Sequence, residues 1–99
     1  MRGKQRSYLK GLANTLRPSL VIGKLGVNDN TLKELDDQLS ANELVKIRFL
    51  DTNGLDPNEV AHDLCEELGA EFVSQLGSKA VLYRPAEEPK INLPTDDNE

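Results

Sequence analysis

The chain has 99 residues, a length that suits a single domain built around one hydrophobic core. Its single cysteine excludes an internal disulfide and a cysteine-rich zinc site, and no apolar run approaches the roughly 20 residues that would span a bilayer. These features predict a cytoplasmic protein with no metal and no membrane contact. We also expect a monomer with no other cofactor and no small-molecule substrate.

Charge divides the chain into two unequal parts. Residues 1–28 contain six Lys or Arg and no acid, whereas the other 71 residues hold six Lys or Arg and all 17 Asp and Glu. The first part therefore carries +6 and the rest −11, within a net charge of −5. Such a split predicts a basic docking surface for a polyanion on an otherwise acidic protein.

The first predicted element is a helix from Lys4 to about Leu16. Its apolar residues recur at three- and four-residue spacing and form one stripe: Tyr8, Leu9, Leu12, Ala13 and Leu16. At 100° per residue, Arg6, Lys10 and Arg17 fall within an arc of about 40° beside this stripe. No acid is available here to pair with these cations, so they favour a ligand-binding face over a merely solvated one.

A short buried strand, residues 19–22, is predicted after Pro18 and leads into a glycine loop. The loop consists of Gly23, Lys24, Leu25 and Gly26. Glycines lack a Cβ and allow the backbone to approach a phosphodiester strand closely, while Lys24 supplies positive charge. Asn28 then predicts the N-cap of a second helix, 29–40, whose free N–H groups would add to the attraction for phosphate.

Residues 43–50 predict a strand with alternating character. Its apolar positions share one face: Val45, Ile47 and Phe49. Lys46 and Arg48 lie on the other face, where they either extend the basic surface or only solubilise the sheet.

The remaining elements complete a domain over residues 1–86. A third helix is predicted at 57–68, and residues 70–76 and 79–84 predict a β-hairpin, because a two-residue connection with a leading Gly suits a tight turn. The order α-β-α-β-α-β-β predicts an α+β fold, a small four-stranded mixed sheet with helices packed on it. Residues 87–99 contain five acids and predict a tail that is either flexible or loosely docked, with Ile91 and Leu93 as its only apolar anchors, and that the fold does not need.

Catalysis is not indicated. His62 and Cys65 are the only residues of their kinds, lie three apart on one predicted helix and lack a third orienting group. Asp36 and Asp37 are adjacent on a helix and so point in different directions. The glycine loop is also not followed by the Gly-Lys-Ser/Thr of a P-loop.

Several motifs, in order, resemble the CRM domain family and its stand-alone bacterial YhbY-like members. They are Lys4-Gln5-Arg6, Ile22-Gly23-Lys24-Leu25-Gly26, Glu43-Leu44-Val45-Lys46-Ile47, Leu82-Tyr83-Arg84-Pro85 and Lys90-Ile91-Asn92-Leu93-Pro94. The resemblance covers about residues 4–94. It implies a fold related to the C-terminal domain of translation initiation factor three.

The resemblance also implies a non-catalytic RNA-binding function, with contact to ribosomal RNA in large-subunit precursors during ribosome assembly. The basic first helix and the glycine loop would make the RNA contact, as in the family, and Lys46, Arg48 and Arg84 would extend it. The alternative is a protein-binding adaptor that docks on a ribosomal protein or an RNA-processing factor. Loss of Lys24 would weaken an RNA binder but not such an adaptor.

Overall fold

The computed structural model describes residues 3–23, 26–50, 56–91 and 93. Within these ranges the helices are α1 (Gly3–Ala13), α2 (Asp29–Asn42) and α3 (Pro57–Leu68). The strands are β1 (Leu20–Ile22), β2 (Leu44–Phe49), β3 (Glu71–Leu76) and β4 (Lys79–Tyr83). The predicted α+β fold and the predicted order of elements are confirmed.

One four-stranded sheet, in the order β1-β2-β4-β3, forms the middle layer. β1 pairs with β2 in parallel, with α2 as the connection, and the other two pairings are antiparallel. Helix α1 packs on one face of the sheet, and α2 and α3 pack on the other. A mixed sheet between helices therefore buries apolar side chains on both faces.

Strand alternation divides the core into two clusters. On the side of α2 and α3, Ile47 of β2 and Leu82 of β4 are fully buried with Leu35 and Leu39 of α2. On the side of α1, a smaller cluster contains Leu9 and Ala13 of the helix with these residues of the strands and their edges: Leu44, Val73, Val81 and Tyr83. Successive strand residues point to opposite faces, so each inner strand contributes to both clusters.

Helix α2 begins at its predicted cap, and α3 begins at the predicted residue. The Asn28 side-chain oxygen accepts a hydrogen bond from the Thr31 N–H at 2.9 Å, and Asp56 accepts one from the Asn58 N–H at 2.9 Å. Pro57 occupies the first position of α3. These signals are local in the sequence, which is why the predicted helix starts hold.

Helix α1 ends at Ala13, three residues before the predicted end. The Lys46 Nζ donates to the Ala13 carbonyl at 3.1 Å and to the Leu16 carbonyl at 3.3 Å. A lysine from β2 therefore caps the last turn, where free carbonyls and the negative end of the helix dipole favour a cation. Arg17 consequently lies beyond the helix rather than on its basic arc.

Glu43 is the C-cap of α2 and not a strand residue, so the predicted start of β2 was one residue too early. Its φ of 69° is in the left-handed region, which lets the chain pass from helix to strand in one residue. Its side chain is fully buried, and the carboxylate accepts backbone N–H bonds from Ala86, Lys90 and Ile91. A buried carboxylate with several donors is satisfied without a buried cation.

The described part of the segment that follows residue 86 lies against the domain. Ile91 and Leu93 pack against the cluster beneath α1, and Glu43 binds the backbone of this segment. Apolar side chains and backbone donors therefore hold it on the domain. Residues 94–99 lie outside the described residues. In the described ranges, no helix is long and apolar enough to cross a membrane.

Candidate nucleic-acid interface

Helix α1 covers only part of its sheet face and leaves one row of side chains open. Strand register aligns Val21 with Arg48, Arg48 with Lys79, and Lys79 with Leu76. These four residues, here called the open row, cross all four strands and are all exposed. The open row lies at the end of the sheet where β1 and β2 finish and the β3–β4 hairpin turns.

A cleft lies between the end of α1 and this hairpin. It is bordered by three lysines from three elements, Lys10, Lys46 and Lys79, together with Asn14, Ser74 and Leu76, and is called the lysine cleft below. Among the described residues, Lys10 and Lys79 of the cleft and Arg48 of the open row make no ion pair. Their charges are therefore available to an anionic ligand.

Acids are concentrated on the opposite side of the sheet. Helix α2 carries four acids and one lysine, and α3 carries four acids and no Lys or Arg. Neither the open row nor the lysine cleft contains an acid, and Glu71 on β3 lies at the far end of its strand. Cations on one face and acids on the other would orient a polyanion toward the open row.

The glycine loop begins beside the open row, because Gly23 follows two residues after Val21. The Gly26 N–H donates to the Gly23 carbonyl at 2.9 Å, and Gly26 has a φ of 73°. A residue with a Cβ would be strained at that φ, so the backbone conformation favours glycine at position 26. Lys24 and Leu25, the other two predicted contacts of the loop, lie outside the described residues.

The N-terminus of α2 follows the glycine loop, as predicted, but it is a weaker phosphate-binding site than that position alone suggests. The Asn28 side chain already accepts the Thr31 N–H and the Thr31 hydroxyl, at 2.9 and 3.1 Å. Asp29 also adds negative charge to the first turn. Both features reduce the attraction of this helix end for an anion.

The three cations predicted to share one arc are placed differently. Lys10 borders the lysine cleft. The Arg6 Nε donates to the Phe72 carbonyl at 3.2 Å, near the outer edge of β3. Arg17 borders a separate cleft with Lys46, near the docked C-terminal segment. The basic surface is therefore broader than a single helix face.

Arg84 lies on the other side of the domain from these cations. Its guanidinium donates to the Asp36 carboxylate at 2.7 Å, the Ser40 hydroxyl at 2.8 Å and the Leu68 carbonyl at 2.9 Å. It also donates to the Asp36 carbonyl at 3.0 Å. These bonds join α2 to the end of α3, and the structure does not bring Arg84 together with the open row.

Lys79 is the cation of this surface that the sequence prediction omitted. Its place follows from pairing, since Arg48 is directly opposite it on the neighbouring strand. Gly77 has a φ of 59°, as expected for the leading glycine of the predicted hairpin turn. Lys79 could be predicted as part of this surface only if the pairing of β4 with β2 were known, and the sequence alone does not give the order of the strands.

His62 and Cys65 have packing roles in the structure. The His62 ring stacks on Phe72 with centroids 4.0 Å apart. Cys65 is buried, and burial together with the nearby charge of Glu71 raises the pKa of its thiol to about 11. A thiol with that pKa is a poor nucleophile at neutral pH. Within the described ranges, no three His, Cys, Asp or Glu side chains are grouped to hold a metal ion.

The chain matches one protein family and is similar to several proteins of comparable length. The CRS1/YhbY (CRM) domain family matches residues 1–84. A Bacillus subtilis protein named "Probable RNA-binding protein YqeI" is 39% identical over 93 residues, covering 93% of this chain and 97% of the relative. A Haemophilus influenzae protein named "RNA-binding protein" is 35% identical over 91 residues, covering 92% of each chain.

One solved structure has the same fold as this chain. The solution structure of the Staphylococcus aureus protein SAV1595 superposes with a TM-score of 0.81 at 41% sequence identity. The match covers 95% of this chain and 99% of that one.

Proposed function

We propose, since the chain belongs to the CRS1/YhbY (CRM) domain family, that it is a non-catalytic RNA-binding protein. Its ligand would be ribosomal RNA within precursors of the large ribosomal subunit. The observation that carries the RNA proposal is the cationic face around the open row, where Lys10, Arg48 and Lys79 make no ion pair with any acid in the described part of the chain. The ribosomal part of the proposal depends on the resemblance to the family.

Binding would be electrostatic in its main part. Lys10 on α1 and the neighbouring Arg48 and Lys79 on the sheet would each contact a phosphate and release condensed counterions. Contacts of this kind position the protein on the RNA but carry no sequence information. Specificity would therefore depend on the shape of a folded RNA, with little preference for one sequence.

The glycine loop and Arg17 would extend the contact at both ends of this face. Gly23 and Gly26 would allow close approach of the RNA backbone, and Lys24 would add charge. With Lys10, Arg17, Lys24, Arg48 and Lys79 on phosphates, the log–log salt dependence of affinity would have a slope of roughly −3.5. That slope predicts a loss of about 100-fold between roughly 50 and 200 mM salt.

Fluorescence anisotropy with a labelled fragment of large-subunit ribosomal RNA tests this proposal. The double variant Lys10→Glu with Lys79→Glu is expected to lose most of the salt-dependent affinity. Lys33→Glu is the control for a charge reversal away from this surface, because Lys33 is exposed on the acidic α2 face. Circular dichroism of all three proteins would establish that the fold is retained. Equal affinity of the double variant and the control would overturn the proposed surface.

Sucrose-gradient sedimentation of cell extracts tests the ribosomal part. The tagged wild-type protein is expected in fractions that contain large-subunit precursors, and the Lys10→Glu, Lys79→Glu double variant is expected at the top of the gradient. Retention of the double variant on the particles would instead support the adaptor function, since a protein contact elsewhere would then hold it.

A further inference from the structure

We infer that the lysine cleft binds one unpaired nucleotide of the RNA. The inference rests on the proposed function and goes further, because it assigns a single-stranded or looped element to this cleft, not a continuous duplex. Bases in a duplex are stacked and paired, so only an unstacked nucleotide can enter a recess in a protein surface.

The size and walls of the cleft suit a base. Its volume is about 380 Å³, within the range of small-ligand sites. The floor is formed by buried Ala13 and Val81, and Leu76, which is 84% exposed, stands at the side. An exposed leucine beside an apolar floor offers two apolar surfaces to the flat faces of a base. No aromatic side chain is needed for this contact.

The polar groups of the cleft suit the edge of a base. Asn14 offers an amide and Ser74 a hydroxyl, and neither side chain has a hydrogen-bond partner among the described residues. Ser74 lies directly opposite Val81 in the sheet, so its side chain is on the cleft side. Such groups can donate to and accept from the exposed edges of an unpaired base.

The lysines suit the phosphates on either side of that nucleotide. Lys46 is held by the carbonyls of Ala13 and Leu16, so its stem forms a fixed inner wall. Lys10 and Lys79 stand on opposite sides, on α1 and on β4, and make no ion pair among the described residues. An acidic peptide would also attract these lysines, but it would leave the apolar floor without a matching planar group.

Nuclear magnetic resonance of the whole chain tests the inference. A labelled sample would be titrated with a single-stranded RNA of about seven nucleotides, and separately with a blunt-ended RNA duplex in which that strand is paired with its complement. The single strand is expected to shift the Asn14 side-chain amide and the Ser74 and Lys79 backbone amides. The duplex is expected to leave the Asn14 side-chain amide unshifted.

A variant that fills the cleft gives an independent test. Ser74→Leu is expected to weaken single-strand binding about tenfold, because the larger side chain would keep the base out of the cleft, with much less effect on binding of the duplex. Asn30→Leu, at an exposed position of α2, adds the same side chain on the acidic face and is the control.

Three results would overturn the inference, and they differ in what they say of the proposed function. RNA-induced shifts on α1 and Arg48, without any at Asn14 and Ser74, would overturn the cleft alone. Binding of neither RNA would overturn both the cleft and the RNA-binding proposal. Shifts at the cleft with an acidic peptide, but not with RNA, would assign the cleft to a protein partner.

Discussion

Arg84 and Asp36 form an ion pair at 2.7 Å on the side of the sheet that α2 and α3 cover. The same guanidinium reaches the Ser40 hydroxyl and the Leu68 carbonyl, so one side chain connects the two helices. Arginine suits this task because its planar fork presents several donors in fixed directions. A cation that looked like an RNA contact in the sequence therefore holds the fold together.

Arg84→Ala is expected to lower the free energy of unfolding by about 2–3 kcal/mol, because several hydrogen bonds to a charged group are lost together. The ion pair itself contributes little of this, since the Asp36 side chain is 49% exposed and water screens the pair. Urea unfolding followed by circular dichroism measures the change. RNA affinity of the folded variant is expected to stay within about twofold of the wild type.

Arg48→Ala is the matched comparison, with the opposite expectation. Arg48 is exposed in the open row and makes no ion pair among the described residues. Its removal is expected to weaken RNA binding and to change stability by no more than about 0.5 kcal/mol. If Arg84→Ala weakened RNA binding as much as Arg48→Ala in folded protein, the assignment of Arg84 to the fold alone would be wrong.

The Glu43 carboxylate predicts an acid-sensitive fold. Burial tends to raise its pKa, but the backbone N–H donors of Ala86, Lys90 and Ile91 and the charge of Lys90 outweigh burial, so the pKa lies below the ordinary value of a glutamate. A group with a lowered pKa in the folded state stabilises fully above its unfolded pKa. That stabilisation is lost as the pH falls through the folded pKa.

Glu43→Gln isolates this contribution. The amide cannot ionise and would place its own N–H groups near three N–H donors, so the variant is expected to be less stable at pH 7. Its deficit relative to the wild type is expected to shrink as the pH falls below about 4.5. Urea unfolding from pH 7 to pH 3 checks this, and a deficit that stayed constant over that range would contradict the lowered pKa.

Truncation distinguishes the docked part of the C-terminal segment from the rest. A chain that stops after residue 86 loses Ile91 and Leu93 from the cluster beneath α1 and two of the three donors to Glu43. It is expected to lose at least about 2 kcal/mol of stability, or roughly 10 °C in Tm. A chain that stops after residue 93 keeps these contacts and is expected to melt like the wild type. Equal melting temperatures for the two truncations would show that the segment adds nothing to stability.

Local signals made most of the fold predictable, whereas the site depends on pairing between distant strands. Asn28 and Pro57 mark helix starts by their own chemistry, and the apolar alternation of β2 marks the strand. Lys79 and Arg84 lie five residues apart, yet Lys79 belongs to the open row and Arg84 binds α2. Alternation along the strand places residues five apart on opposite faces, but a single sequence does not show which face α1 covers and which face α2 and α3 cover.

Lys79 provides the most direct test of the sheet as part of the RNA contact. If its ammonium neutralises one phosphate, Lys79→Gln is expected to reduce the magnitude of the log–log salt slope by about 0.7 on unstructured RNA. The change is expected for every RNA sequence alike, because a phosphate contact reads no base. Anisotropy titrations at four or more salt concentrations give the slope.

Lys90→Gln is the control for this measurement. Lys90 is exposed, and its backbone N–H donates to Glu43 whatever side chain it carries, so its substitution is expected to leave the slope unchanged. A lowered affinity with an unchanged slope in Lys79→Gln would mean that Lys79 acts by shaping the hairpin and not by neutralising phosphate. An unchanged slope together with an unchanged affinity would remove the hairpin from the RNA-binding face and leave α1 and the glycine loop as its main parts.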